Sequence, residues 1–221
     1  MSIDRIQLYK LLKIMFLPEG KRRSALRQDI RDELAKQAGL ESGGGDFYAP
    51  FWADARAHVF GTGDLRSSVD DRMAANGRRT NLYPRLRDGF LQWWNERRRW
   101  TNEPFRLGQQ IKSHVEFVDL QAIVKIESVL SVQDAQGIEH YVYPYFFPEP
   151  ILSVEAARLG LWLLIDALPQ VPATEIRILD IISGQTFSID RTPLVGSEEE
   201  EFRQRYQRLL REREALLDDY K

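Results

Sequence analysis

Up to about residue 112 the apolar positions recur at helical spacing; beyond it the pattern shifts towards alternation. At the start, Ile6, Leu8, Leu11, Leu12 and Met15 share one side. Ser2 can cap the first turn and "LPEG" ends the run, so a first helix is predicted from Ser2 onwards. A second helix is predicted over "KRRSALRQDIRDELAKQAG", carrying Ala25, Leu26, Ile30, Leu34 and Ala35, with Gly39 just past its end. "LESGGGDFYAPFW" follows. Its three consecutive glycines lose too much backbone freedom for a helix interior and predict a loop. The loop delivers Phe47, Tyr48, Phe51 and Trp52 into a short helix ending near Gly61. "LRSSVDDRMAANG" predicts another short helix, stopped by Gly77, and "NLYPRLRDGFLQWWNERRR" a last one with Pro84 in its first turn. In that last helix Leu86, Phe90 and Trp93 follow one face. Trp94 borders it, while Glu96, Arg98 and Arg99 point away, so the tryptophans read as core.

In the second half, "AIVKIESVLSV" places Val124, Ile126, Leu130 and Val132 on one face and predicts a half-buried strand. "DAQG" reads as a turn and "IEHYVYPYFF" as the returning strand. Pro144 would put that strand at an edge or mark a bulge. "HVEFVDL" adds a third strand. "SVEAARLGLWLLIDAL" is apolar almost all round and predicts a buried helix started by Ser153 and Glu155. "EIRILDI" and "TFSID" form a second hairpin around Ser183 and Gly184. The final long helix has a capping box in Ser197 and Glu200 and an apolar stripe of Phe202, Tyr206, Leu209, Leu210, Leu216 and Leu217. The expected class is α+β: a helical N-terminal half packed on a small mixed sheet of two hairpins, one buried helix and a long C-terminal helix. The expected units are residues 1–112, helical and basic, and residues 113–221, α/β and acidic, which one compact domain could also contain.

Charge sharpens that division. Residues 1–112 carry 21 Lys and Arg against 14 Asp and Glu, whereas residues 113–221 carry 10 against 19. Either the basic half faces a partner or the halves attract each other. The 221 residues contain no cysteine, which removes disulfides and thiolate chemistry. Charges interrupt the opening stretch, and no apolar run approaches the ~18 residues of a membrane helix. A soluble, cytoplasmic protein without membrane contact is therefore expected.

Known chemical motifs are scarce. His58, His114 and His140 share no metal-ligand spacing, so no metal site is expected. There is no G-x-S-x-G elbow. In "PEGKRRS" the lysine lacks the following hydroxyl residue of a phosphate loop, and "GTGDLR" lacks the third glycine of a dinucleotide fingerprint. "SGGGD" reads as a connector rather than an anion cradle.

The element order of residues 81–221, with "PEPILSVEAARLGLWLLIDAL" as the helix after a hairpin, resembles the PD-(D/E)XK restriction-endonuclease-like superfamily, especially its RecB-type members. The resemblance implies a magnesium site built from an acid on one strand and an acidic-x-lysine triplet on the next, with the metal activating water. Here Tyr143-Pro144-Tyr145 stands where that triplet is expected. Glu116 or Asp119 could supply the first acid, and Lys125 and Glu127 carry the triplet backwards. Asp219-Tyr220-Lys221 reads as a tail. The resemblance thus implies a binding or scaffolding descendant without catalysis or cofactor. The alternative is a magnesium-dependent nuclease with a displaced site at Glu116, Asp119, Lys125 and Glu127.

Two surfaces could bind. Arg78, Arg79, Arg97, Arg98 and Arg99 could follow a phosphate backbone. Tyr141, Tyr143 and Tyr145 share one strand face that could stack bases or meet a protein, unless the N-terminal helices cover it. The expected function is that of a non-catalytic interaction or regulatory protein, a subunit of a larger intracellular assembly with a protein partner. A nucleic-acid-binding module using the arginines is a further alternative.

Overall fold

The computed structural model describes residues 2–40 and 46–220. The predicted glycine loop falls at residues 41–45, outside the described residues. The chain opens on a strand, β1 (Arg5–Gln7), and not on a helix from Ser2. Helix α1 (Leu8–Phe16) follows it directly, and the Ser2 hydroxyl donates to Glu33 at 3.0 Å instead of capping. Pairing with a distant strand satisfies the backbone of residues 5–7, an option that local periodicity does not reveal. Helix α2 (Glu19–Gln37) ends where the sequence places its stop. Gly39 adopts φ 69°, its N–H bonds Lys36 O, and the Leu40 N–H reaches Ala35 O at 2.9 Å, a Schellman closure.

Helices α3 (Ala49–Val59), α4 (Leu65–Ala75) and α5 (Tyr83–Gln92) complete the helical half. α5 runs on into a π turn, Trp93–Arg97. As the periodicity indicates, Trp93 and Trp94 are buried, and Trp100 joins them. The three indoles pack edge-on or tilted with centroids 5.7–5.9 Å apart.

The strands form two small sheets where one was expected, and each sheet takes one strand from residues 1–112. "AIVKIESVLSV" does not run as one strand: it divides into β4 (Ala122–Ile126) and β5 (Leu130–Gln133). Ser128, at φ 69°, turns the chain between them into a different sheet. The smaller sheet has the order β1-β4-β3, with β3 (Ser113–Phe117) antiparallel and β1 parallel to β4. The larger has the order β2-β5-β6-β7-β8, formed by β2 (Arg106–Leu107), β5, β6 (Glu139–Tyr145), β7 (Ile176–Asp180) and β8 (Gln185–Phe187). Pro144 sits in β6, a central strand and not an edge one. The pairing of β5 with β6 ends at Val142, so Pro144 faces a partner only on the β7 side.

The parallel strands β6 and β7 are joined through α6 (Val154–Ala167). Ser153 caps α6 by accepting from the Ala156 N–H. At Gly160 a Cβ would lie 2.7 Å from Ile178 and 2.9 Å from Leu12, so the absent side chain lets α6 sit between α1 and β7. Helix α7 (Glu198–Leu217) is capped differently from the expected box. The Ser197 hydroxyl turns to Glu201, and the Glu198 carboxylate accepts the N–H groups of Val195 and Gly196. Burial pushes the Glu198 carboxyl up. Those N–H groups and the Arg158 guanidinium pull it further down, below the ordinary glutamate range. This stabilisation is present above the unfolded pKa and is lost as pH falls through the lowered folded value. Glu198→Ala is expected to cost about 1 kcal/mol in urea unfolding at neutral pH, with the difference shrinking on acidification.

One hydrophobic cluster runs through both halves, from Ile3 and Leu8 to Phe202 and Leu216. Tyr206 in α7 donates its hydroxyl to Ile3 O at 2.7 Å. Ion pairs span the expected boundary at residue 112: Arg22 with Glu212 at 2.8 Å, Arg99 with Asp190, and Lys21 with Glu149. Part of the charge split is thus used inside the molecule. Among the described residues, no helix is long and apolar enough to cross a membrane.

Candidate phosphate-binding groove

The tyrosine face is not a surface. Tyr141, Tyr143 and Tyr145 are 5%, 1% and 1% exposed. The Tyr143 hydroxyl accepts the Tyr9 N–H of α1 at 3.1 Å, and the Tyr145 hydroxyl donates to Pro150 O at 2.7 Å. Alternation puts these rings on one face, but that face is buried, with α1 meeting it at Tyr143.

The arginine span is largely committed to its own chain. Arg97 donates to Ser183 O at 2.8 Å, and Arg98 bonds Glu103 and lies 4.1 Å over Trp94. Arg99 pairs with Asp190, and Arg79 lies 5.2 Å over the Tyr83 ring. Arg78 is exposed, with no ion pair among the described residues.

The four residues of the displaced nuclease site separate. Asp119 pairs with Arg203 of α7 at 2.8 Å. Glu116 is exposed on β3, opposite Ile123. Lys125 and Glu127 do come together, in a groove of about 330 Å³ on the open face of the smaller sheet. Among the described residues no three His, Asp or Glu side chains are grouped to hold a metal ion.

That groove is assembled by the strand register. Gln7, Lys125 and His114 are cross-strand partners in one row, and Arg5, Ile123 and Glu116 in the next. Side chains alternate across a sheet, so the intervening Ile6, Val124 and Val115 turn the other way, towards the core. Phe117 stacks on Phe202 of α7 at 5.5 Å, and Ser113 donates to Ala167 O of α6 at 2.9 Å, which fix β3 from behind. The groove on the outer face is lined by Arg5, Lys112, His114 and Lys125, with Glu127 at one side, and the exposed Glu116 shares that face in the row of Arg5 and Ile123. Glu127 accepts a bond from the Gln7 amide, and the carbonyl oxygen of that amide is buried without a partner. Arg5, Lys112 and Lys125 have no carboxylate within ion-pairing distance among the described residues. Arg5, Lys112 and Lys125 outnumber the one lining carboxylate, Glu127, a balance of charge that suits phosphate, with guanidinium for bidentate bonding and ammonium as point charge.

The chain matches no protein-family model, no curated protein and no solved structure.

Sequence patterning does not single out Arg5, Lys112 or His114, which belong to no motif. It also gives no sign of the polar cluster around His140. That ring stacks on Trp100 at 4.5 Å with a 2° tilt. It meets Glu175 at Nδ1 (2.7 Å) and Asp134 at Nε2 (3.4 Å). Burial pushes the Asp134 carboxyl up, and bonds from the Ile138 N–H, Asn102, the Gln136 N–H and His140 together pull it below the ordinary aspartate range. The imidazole joins the β5–β6 turn to the segment before β7. With the histidine 5% exposed, this is a structural clamp and not an open site.

Proposed function

We propose that the chain is a non-catalytic interaction protein that seats the phosphate backbone of a nucleic acid on the open face of its smaller sheet, as one component of a larger intracellular assembly. One observation carries this reading: Arg5, Lys112 and Lys125 converge on one groove and none of them is ion-paired among the described residues, the Glu127 carboxylate of the lining being bonded by Gln7, while most arginines of the 78–99 span are engaged within the chain. Binding of this kind is read through its salt dependence, since each phosphate contact contributes about 0.7–0.9 to the slope of log K against log salt.

The test is fluorescence anisotropy with a labelled 20-nucleotide single strand across a salt series. The Arg5→Ala, Lys112→Ala, Lys125→Ala combination is expected to weaken binding and to lower the slope by about 2–3. Arg97→Ala with Arg99→Ala is expected to change it little. Unaltered binding by the groove variant would remove the proposal. The labelled strand is expected to stay intact with magnesium present. Cleavage that disappears in Glu127→Gln would replace the binding reading with the displaced nuclease site.

A further inference from the structure

A second cavity, of about 670 Å³, opens where the end of the π turn after α5, the β7–β8 turn, the segment after β8 and the first residue of α6 meet. Its wall contains two guanidiniums, Arg97 and Arg191, and no carboxylate. The other depressions of the molecule differ in this respect. The groove has Glu127, and three more carry Asp88 and Glu96, Asp119 with Glu199 and Glu200, or Glu149. The acids closest along the chain are engaged elsewhere. Asp190 pairs with Arg99 and accepts from Ser188, Asp180 accepts the Ile182 N–H at 3.2 Å, and Glu155 pairs with Arg205.

The donors of this wall are positioned without being used up. Arg97 gives one N–H to Ser183 O at 2.8 Å, which holds the guanidinium beside the turn and leaves its remaining N–H groups without a partner among the described residues. The Arg191 and Thr192 N–H groups both donate to Ser188 O, at 3.0 and 2.8 Å, so their turn is fixed by its own backbone. The Arg191 side chain is exposed and has neither an ion pair nor a hydrogen bond among the described residues. Thr192 is only 6% exposed, and its hydroxyl also lacks a partner there. That oxygen is not sealed inside protein, so it is reached from the cavity the residue lines. The Thr186 hydroxyl and the Gln185 amide line the same cavity, unpartnered as well. Nearly buried polar groups are ordinarily paired, and a ligand oxygen would complete this one.

We propose that the cavity binds a small phosphate monoester with an apolar organic part, the phosphate on Arg97, Arg191 and Thr192 and the remainder against Phe187 and Val154. A terminal phosphate carries close to two charges at neutral pH and three acceptor oxygens. Two guanidiniums match that charge, and the Thr186, Thr192 and Gln185 donors add bonds around a tetrahedral group. A carboxylate, with one charge and two oxygens, leaves donors unused. The volume lies within the range used for small ligands and leaves room for a body beyond the phosphate. No residue of the groove takes part, so the two sites stand or fall separately.

Titration of the isotope-labelled full chain with phenyl phosphate, followed by amide chemical shifts, tests this. Saturable binding is expected, with the shifts concentrated in residues 183–192 and none at Lys112 or Lys125. Arg191→Gln and Thr192→Val should each weaken binding several-fold, since each removes a donor to a charged oxygen. Arg191 has no partner within the chain to lose, so thermal unfolding of Arg191→Gln should match wild type. Benzoate should bind several-fold more weakly, and phenol, the ring without the charge, should leave these amides unmoved. Absence of saturable binding, shifts centred on Lys112 and Lys125, binding indifferent to both substitutions, or benzoate as tight as phenyl phosphate would each overturn the proposal.

Discussion

Gly89→Val is expected to destabilise the protein by about 3 kcal/mol or more, as overpacking against a fixed backbone does. Gly89 lies in α5, where the tip of the β7–β8 hairpin presses on the helix. An added Cβ would stand 2.1 Å from Ile181 O and 2.4 Å from Ile182 O. These are backbone atoms, so no side-chain rotation relieves the clash. On the other side, a Cβ added to Gly184, at φ 64°, would lie 2.8 Å from Gly89 O, and Arg97 bonds Ser183 O beside it. Two glycines therefore allow the close approach of helix and hairpin. Thermal unfolding is the measurement: a chain of this size should lose roughly 6–12 °C in Tm. Gly20→Ala is the control. Its Cβ meets nothing within 4 Å, so the substitution should be neutral or slightly stabilising. A Gly89→Val protein that melts with wild type would show that helix and hairpin are not in contact.

The second large effect is expected at Trp93. Trp93→Ala should cost about 3–5 kcal/mol, the range for removing a buried large aromatic side chain. The indole is 1% exposed and packs against Phe90 at 5.4 Å, Trp94 at 5.7 Å and Trp100 at 5.9 Å. Trp100 in turn stacks on His140, so the cavity would open beside the polar cluster that ties β6 to its neighbours. Trp93→Phe keeps most of the volume and should cost clearly less. Denaturant midpoints of the two variants measure the difference, and near-UV circular dichroism should lose intensity in the alanine variant. Equal midpoints for alanine and phenylalanine would contradict a packed aromatic core at this position.

The tryptophan core was legible because Leu86, Phe90 and Trp93 repeat at helical steps, and a helix face that is apolar must be covered by something. The buried α6 and the end of α2 at Gly39 were legible for equally local reasons. Where the outcome depends on distant partners, periodicity is silent. Alternation groups Tyr141, Tyr143 and Tyr145 on one face but does not say that this face is buried. The run from Ala122 to Val132 alternates well enough to read as one strand, yet a single left-handed residue, Ser128, sends its halves into separate sheets. The groove was the least legible part. Lys125 and Glu127 were singled out for a different chemistry, whereas Arg5 and His114 reach them only through pairing across the sheet.

That pairing also sets the order in which the molecule can be completed. β1 meets β4 with Arg5 opposite Ile123, a separation of 118 residues, and the link between them contains most of the helical half. Closing so long a loop costs entropy before any contact returns it, so contacts of this range form slowly compared with helix packing. During synthesis, β1 must wait until β4 and the hairpin before it have left the ribosome. The three cations of the groove therefore come together only in a chain made past β4, and a full-length but half-folded product would carry the same charges without the site.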